Sequence, residues 1–162
     1  MKEYDCSFEI EDKWFRYRAA AIIVEDNCLL FAGNEKEDYF YSIGGAVHIG
    51  ETAEDAVKRE VFEETGIRYE IDKLAFIHEN IFKGYGYSLH GKECHEIALY
   101  FLMKSKGSKK INSDSYTHQG IKEQMHWIAI KDLDKYKKIY PTFLKDKIKN
   151  MPDNLEYIVT KE

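Results

Sequence analysis

Apolar and polar positions alternate from Trp14 and then fuse into an unbroken apolar stretch in WFRYRAAAIIV, which predicts a strand over residues 14 to 24. Asp26-Asn27 follows as a turn signal, and CLLFAG returns as a second strand, so the pair reads as a hairpin. YFYSIGG reads as a short aromatic strand running into a glycine turn. The pattern then takes on a helical period. Thr52 suits an N-cap, with Asp55 three residues on in a capping-box arrangement. Gly66 suits the left-handed residue after a helix, and Ile67 supplies the apolar contact that often follows, so a helix is predicted over 53 to 65. Further strands are predicted over 71 to 82, 95 to 103 and 126 to 130. Pro141 fits the first turn of a C-terminal helix covering TFLKDKIKN. KGSKKINSDSYTHQG is polar without a period and predicts a loop. Strands mixed with two or three helices make a layered α/β or α+β domain.

A chain of 162 residues reads as one domain with a real core. Pro141 and Pro152 are the only prolines, so nothing marks a linker or a domain boundary. A formal net charge of -5 argues against a general DNA, RNA or membrane-surface binder, which needs a basic face. A small anionic substrate stays open, because a bound cation reverses the local field. Cys6, Cys28 and Cys94 form no C-x-x-C pattern and read as reduced thiols. MKEYDCSFEI has no apolar segment behind a basic one, and the apolar run 19 to 24 is too short to span a bilayer. Both features point to a cytoplasmic protein.

The predicted helix carries a conflict. At about 100° per residue, Ala53, Ala56 and Val57 share a stripe that continues into Glu60, Glu63 and Glu64. Like charges spaced three and four apart repel, more strongly when partly desolvated. The negative end of the helix dipole adds to the repulsion. A cation resolves it. The plain alternative is a solvated face salt-bridged by Lys58 and Arg59.

The flanking residues decide between these readings. The spacing G-x5-E-x7-R-E-U-x-E-E-x-G-U, with U apolar, is met by Gly45, Glu51, Arg59, Glu60, Val61, Glu63, Glu64, Gly66 and Ile67. This stretch resembles the signature of the Nudix family. The resemblance implies an α/β/α sandwich with a mixed β-sheet and a loop-helix-loop metal site. It implies Mg²⁺- or Mn²⁺-dependent hydrolysis of a nucleoside diphosphate linked to another moiety, a nucleoside triphosphate or an oxidised nucleotide included. Carboxylates suit that chemistry, since hard divalent ions prefer oxygen ligands, neutralise phosphate oxygens and acidify bound water. By position, the resemblance makes Glu60, Glu63 and Glu64 metal ligands, with Glu60 also a candidate base. It adds the carbonyl of Gly44 as a ligand and makes Glu51 and Arg59 the groups that orient the carboxylates.

Outside this stretch the resemblance is looser. Family members often supply another acidic group before a late strand containing a tryptophan, which here is Glu123 in IKEQMHWIAIKDL. Glu123 is thus a candidate ligand or general base, with a plain strand-edge glutamate as the alternative. Glu79 and Glu96 are weaker candidates that fit the exposed face of a strand. Tyr41 and Tyr85 are candidates to stack on a base, as are Phe40, Tyr87 and Trp127. Arg18 is a candidate phosphate ligand; Arg16 shares its sheet face, and exposure on an outer face is the simpler expectation for both. His90 and His95 lack zinc-ligand spacing and read as loop and strand histidines. Ile43 stands where many members have proline, and IFKGYGYSLHGK lacks the proline common in members that act on ADP-ribose. A non-catalytic nucleotide-binding regulator and an isoprenoid diphosphate isomerase are the rival readings; Cys94 beside Glu93 and Glu96 only faintly echoes the latter. Dimerisation is common in the family, and the sequence identifies no interface.

Overall fold

The computed structural model describes residues 2–34, 38–112 and 122–162, apart from the side chain of Tyr87. Its strands are β1 (Ser7–Ile10), β2 (Lys13–Ile22), β3 (Val24–Glu25), β4 (Cys28–Asn34), β5 (Phe40–Tyr41) and β6 (Ile43–Ala46). Helix α1 (Ala53–Thr65) follows, then β7 (Ile71–Lys83), β8 (Glu93–Met103), β9 (Glu123–Ala129), β10 (Ile139–Tyr140), α2 (Leu144–Lys147) and β11 (Glu156–Lys161). The first sheet runs β1-β2-β8-β7-β11, with β6 sharing the β1 side of β2. The second runs β10-β5-β4-β3, with β9 on β4. Each mixes parallel and antiparallel pairs, so the expected α/β class with mixed sheets is what the chain forms.

The alanine run 19–21 explains how the layers meet. Ala19 and Ala21 face α1, where Ala56, Val57 and Val61 are fully buried against them, while Ala20 faces a second core with Ile22, Phe31 and Phe76. Small side chains on both faces of one strand let a helix and a second sheet approach its backbone closely.

Several predicted elements are subdivided. The run 14–24 breaks at Ile23, so β2 belongs to one sheet and only β3 forms the hairpin with β4. Asp26 and Asn27 turn that hairpin at φ 49° and 56°, the left-handed pair that matches strand twist. The aromatic segment likewise splits at Ser42 into β5 and β6 in different sheets. Pro141 precedes α2 in a turn instead of opening it, and α2 passes into a 3₁₀ turn at Ile148–Asn150. β1 and β11 carry no strong sequence pattern because both are edge strands with half their residues or more in water. Of the predicted loop, 106–112 is irregular and 113–120 lies outside the described residues. Its start is clamped: the buried Glu25 carboxylate accepts from Ser105 Oγ at 2.9 Å and from the N–H groups of Lys106 and Ser108 at 2.6 and 3.0 Å.

Candidate active site

Helix α1 ends where local chemistry says it must. Thr52 Oγ1 accepts the Asp55 N–H at 3.1 Å, satisfying an orphan donor of the first turn. Gly66 closes the helix at φ 72°, its N–H on the Phe62 carbonyl at 2.8 Å. A Cβ at Gly66 would also lie 1.9 Å from the Asn112 carbonyl oxygen, so two requirements select glycine there.

The three helix carboxylates do not share one environment. Glu64 continues the stripe of Val57 and Val61 and is 5% exposed. Glu60 borders that stripe, whereas the Glu63 side chain is 54% exposed, which corrects the expectation that all three turn inward. Glu64 accepts the Gly44 N–H at 2.9 Å and so ties the helix to the glycine turn. Burial, then the nearby charges of Glu123 and Glu60, push the Glu64 carboxyl well above the usual carboxylate range. Burial pushes Glu123 up as well, and Glu60 adds to it. Glu63 is raised by the partial desolvation of its helix-facing side and by Glu60, against the pull of Arg59.

Arg59 is the hub of this cluster. Its Nε and Nη2 donate to the two Glu51 oxygens at 2.9 and 3.0 Å, a bidentate pair. Nη2 also reaches the Ala46 carbonyl at 3.1 Å, while Nη1 reaches Glu60 Oε1 at 2.8 Å and Glu63 Oε2 at 3.4 Å. The hydrogen bonds from Arg59 hold the Glu51 carboxyl below its ordinary value, and Glu51 accepts the His48 N–H as well. One guanidinium thus ties β6, the following loop and the helix together. Arg59→Lys keeps the charge but loses the fork. Turnover of the metal-loaded enzyme is expected to fall about 10–100-fold, with the overall fold retained by circular dichroism.

The donor set suits a hard divalent ion. It offers carboxylate oxygens together with one oxygen, Glu123 Oε2, that is buried without a hydrogen-bond partner. A Cβ at Gly45 would stand 2.4 Å from Glu60 Oε1, so the turn leaves room for the carboxylate only because glycine is there. Among the described residues, no three His, Cys, Asp or Glu side chains close on a single point as a finished metal site. One oxygen each of Glu60 and Glu63 is instead engaged by Arg59.

The remaining candidates scatter. Tyr41 is half-buried, and burial followed by the charge of Glu123 pushes its phenol up, which places it at this cluster. Tyr85 is exposed on the turn after β7. Arg18 is buried, not exposed: Nη1 donates to Ser42 Oγ at 3.0 Å and Tyr100 Oη at 3.2 Å, and Nη2 to the Ser42 carbonyl at 2.8 Å. Arg16 is half-buried and donates to Glu96 Oε2 at 2.8 Å, so Glu96 is a buried partner and not an exposed strand residue. Ser42 and Tyr100 were invisible to sequence reasoning, although Ser42 lies two residues before Gly44. His95 and Glu79 pair with each other at 2.7 Å on neighbouring strands. His90 is exposed in a turn, and all three cysteines are free thiols. No helix among the described residues is long and apolar enough to cross a membrane.

Comparison with known proteins bears on this geometry. A sequence model of the NUDIX domain matches residues 14–147. A MutT-like protein of Streptomyces ambofaciens is 32% identical over 99 residues, which cover 61% of this chain and 57% of that protein. The match therefore spans little more than half of that relative's length. A crystal structure of a MutT NUDIX hydrolase from Burkholderia pseudomallei superposes with a TM-score of 0.56 at 25% identity, covering 74% of this chain and 86% of the other. A mutator MutT protein from Bacillus halodurans gives a TM-score of 0.64 at 17% identity, covering 90% of each chain, a likeness of fold alone.

Proposed function

This chain belongs to the NUDIX family, and from that premise we propose that it hydrolyses the phosphoric anhydride of a nucleoside diphosphate linked to another moiety, using Mg²⁺ or Mn²⁺. The observation that carries the reading is the pair of buried Glu64 and half-buried Glu123, one with its carboxyl driven up and the other with a buried, orphaned oxygen. Such a pair is costly without a cation and is explained by one. Glu60, Glu63, Glu64 and the Gly44 carbonyl are the groups we assign to hold the ion. When bound, it neutralises phosphate oxygens and acidifies water.

The chain's own residues do the rest. Arg59 and Glu51 keep the helix carboxylates aimed at the glycine turn. Glu123, its carboxyl raised by burial and lying beside Glu64 and Tyr41, is assigned to take the proton of the attacking water. Tyr41, beside Glu123, is assigned to line the substrate site, and Tyr85 to its rim. Arg18 reaches the site from behind, through Ser42, and its buried charge offsets those of Glu64 and Glu60.

The isomerase reading asks for a cysteine at the reacting carbon. Cys94 is instead buried at the start of β8, its thiol on the Lys92 carbonyl, in a cleft with Phe8, Trp14 and Ile81. The regulator reading is opposed by the full set of glutamates. The test is phosphate release, with and without a coupled phosphatase, across nucleoside triphosphates, oxidised nucleotides and nucleotide derivatives. One compound is expected to turn over far faster than the rest, and only with Mg²⁺ or Mn²⁺. A flat panel with nucleotide binding retained in calorimetry would establish the regulator instead.

A further inference from the structure

Ser42 and Ala46 bracket the paired glycines, and an arginine holds the carbonyl of each. On the helix side, Arg59 Nη2 donates to the Ala46 carbonyl at 3.1 Å. The other end is gripped from the opposite face of the first sheet. Side chains alternate along a strand, so Arg18 shares the face of Ala20, which looks away from α1. Its Nη2 donates to the Ser42 carbonyl at 2.8 Å and its Nη1 to Ser42 Oγ at 3.0 Å. Tyr100 Oη lies 3.2 Å from both Arg18 Nη1 and Ser42 Oγ and closes a triangle with them. The Ser42 N–H is engaged as well, on the Tyr140 carbonyl at 3.0 Å. Between the two ends, Gly44 gives its N–H to Glu64. Residues 42–46 are thus pinned at both ends and in the middle.

A buried guanidinium is costly and asks for a reason. Arg18 is 8% exposed, and its acceptors at Ser42 and Tyr100 are neutral. Glu96, the first carboxylate that its charge reaches, is already bonded by Arg16 at 2.6 and 2.8 Å. The next are Glu64 and Glu60, both of the candidate site. Buried behind β6 and turned onto it, this guanidinium is not presented to a substrate phosphate. Resting on the metal-dependent reading above, we propose that Arg18 is a positioning residue for the ion site, acting with Ser42 and Tyr100. It holds the glycine strand from the face opposite Arg59 and so keeps the Gly44 carbonyl and the Gly44–Glu64 bond in place for a divalent ion. Arg59 does not do this alone, because its contact with the strand is at the far end, on Ala46. Tyr100 braces the fork: it shares Nη1 with Ser42 Oγ and leaves Nη2 on the carbonyl.

Mn²⁺ calorimetry on the full chain tests this independently of turnover. Arg18→Lys keeps the charge and loses the fork, and is expected to weaken Mn²⁺ binding about 10–100-fold with circular dichroism unchanged. Tyr100→Phe removes one brace of Arg18 and is expected to weaken it about threefold. Arg16→Lys lies on the same face but is bonded to Glu96 and not to β6, and should stay within about twofold of the wild type. At saturating Mn²⁺, the KM of Arg18→Lys for the best substrate should match the wild type, since Arg18 touches the strand and not the substrate. Mn²⁺ bound as tightly by folded Arg18→Lys as by the wild type overturns the proposal. An equal loss in Arg16→Lys, or a raised KM with Mn²⁺ affinity intact, does the same. If the lysine variant does not fold, Tyr100→Phe carries the test, and unchanged Mn²⁺ affinity there is the overturning result. A wild type that binds no Mn²⁺ removes the metal-dependent reading itself and the proposal with it, so the two failures are told apart.

Discussion

Glu64→Gln is expected to lower kcat by about 10²–10³-fold and, in the absence of divalent ions, to raise the melting temperature at pH 8. The two effects have one cause. Glu64 is buried beside Glu123 and Glu60, and its carboxyl is raised well above its ordinary value. A carboxyl raised in the folded state contributes stability below its unfolded value of about 4.3, and that contribution is lost as pH rises through the folded value. Metal-free wild type should therefore lose stability as pH rises from about 4.3 through the raised folded value. Glutamine has a similar shape, still accepts the Gly44 N–H through its amide oxygen, and does not titrate, so most of that slope should vanish. Adding Mg²⁺ or Mn²⁺ should then stabilise the wild type more than the variant, because an ion that binds only the folded state adds its binding free energy. Melts from pH 5 to pH 9 with and without metal, beside kcat on the best substrate, check both halves. Full activity in the variant would remove Glu64 from the site. An unchanged pH slope would show that its burial is compensated by something other than a cation.

How much of this was legible in the sequence follows from how local each determinant is. The bounds of α1 were readable because Thr52 and Gly66 act within one turn of their own positions. The Arg59–Glu51 pair was readable because eight residues of fixed spacing bring a helix turn back over its preceding loop. Burial of Arg18 was not readable: its partners, Ser42 and Tyr100, come from β8 and from the junction of β5 and β6, and only tertiary pairing assembles them. The meeting of Glu123 with Glu64 also depends on long-range register, since β9 reaches the helix only by pairing along all of β4. The difference between Glu63 and Glu64 turns on a 100° step at the edge of the packed stripe, where periodicity cannot say which side the neighbouring sheet will cover.

The paired glycines separate folding from metal binding. Gly44 sits at φ 152° in β6, opposite Ala20. A Cβ there would stand 2.3 Å from the Ala19 carbonyl oxygen and 2.7 Å from Ala20 Cα, both backbone atoms of the central strand. Neither can give way without opening the β2–β6 pairing, and the φ itself is strained for any side chain. Gly44→Ala is therefore expected to cost about 3 kcal/mol or more, a fall of roughly 6–12 °C in melting temperature for a chain of this size. The Cβ of Gly45→Ala would instead meet Glu60 Oε1 at 2.4 Å and the rest of the same carboxylate within 2.8 Å. That group is the end of a flexible side chain and can swing aside, at a cost of about 1 kcal/mol. In swinging it leaves the glycine turn and its bond with Arg59. Thermal melts should thus place the larger loss in Gly44→Ala, while Mn²⁺ calorimetry on folded Gly45→Ala should show affinity reduced at least tenfold. If Gly45→Ala instead binds Mn²⁺ as tightly as the wild type, Glu60 does not hold the ion, and the site must be rebuilt around Glu64, Glu63 and Glu123.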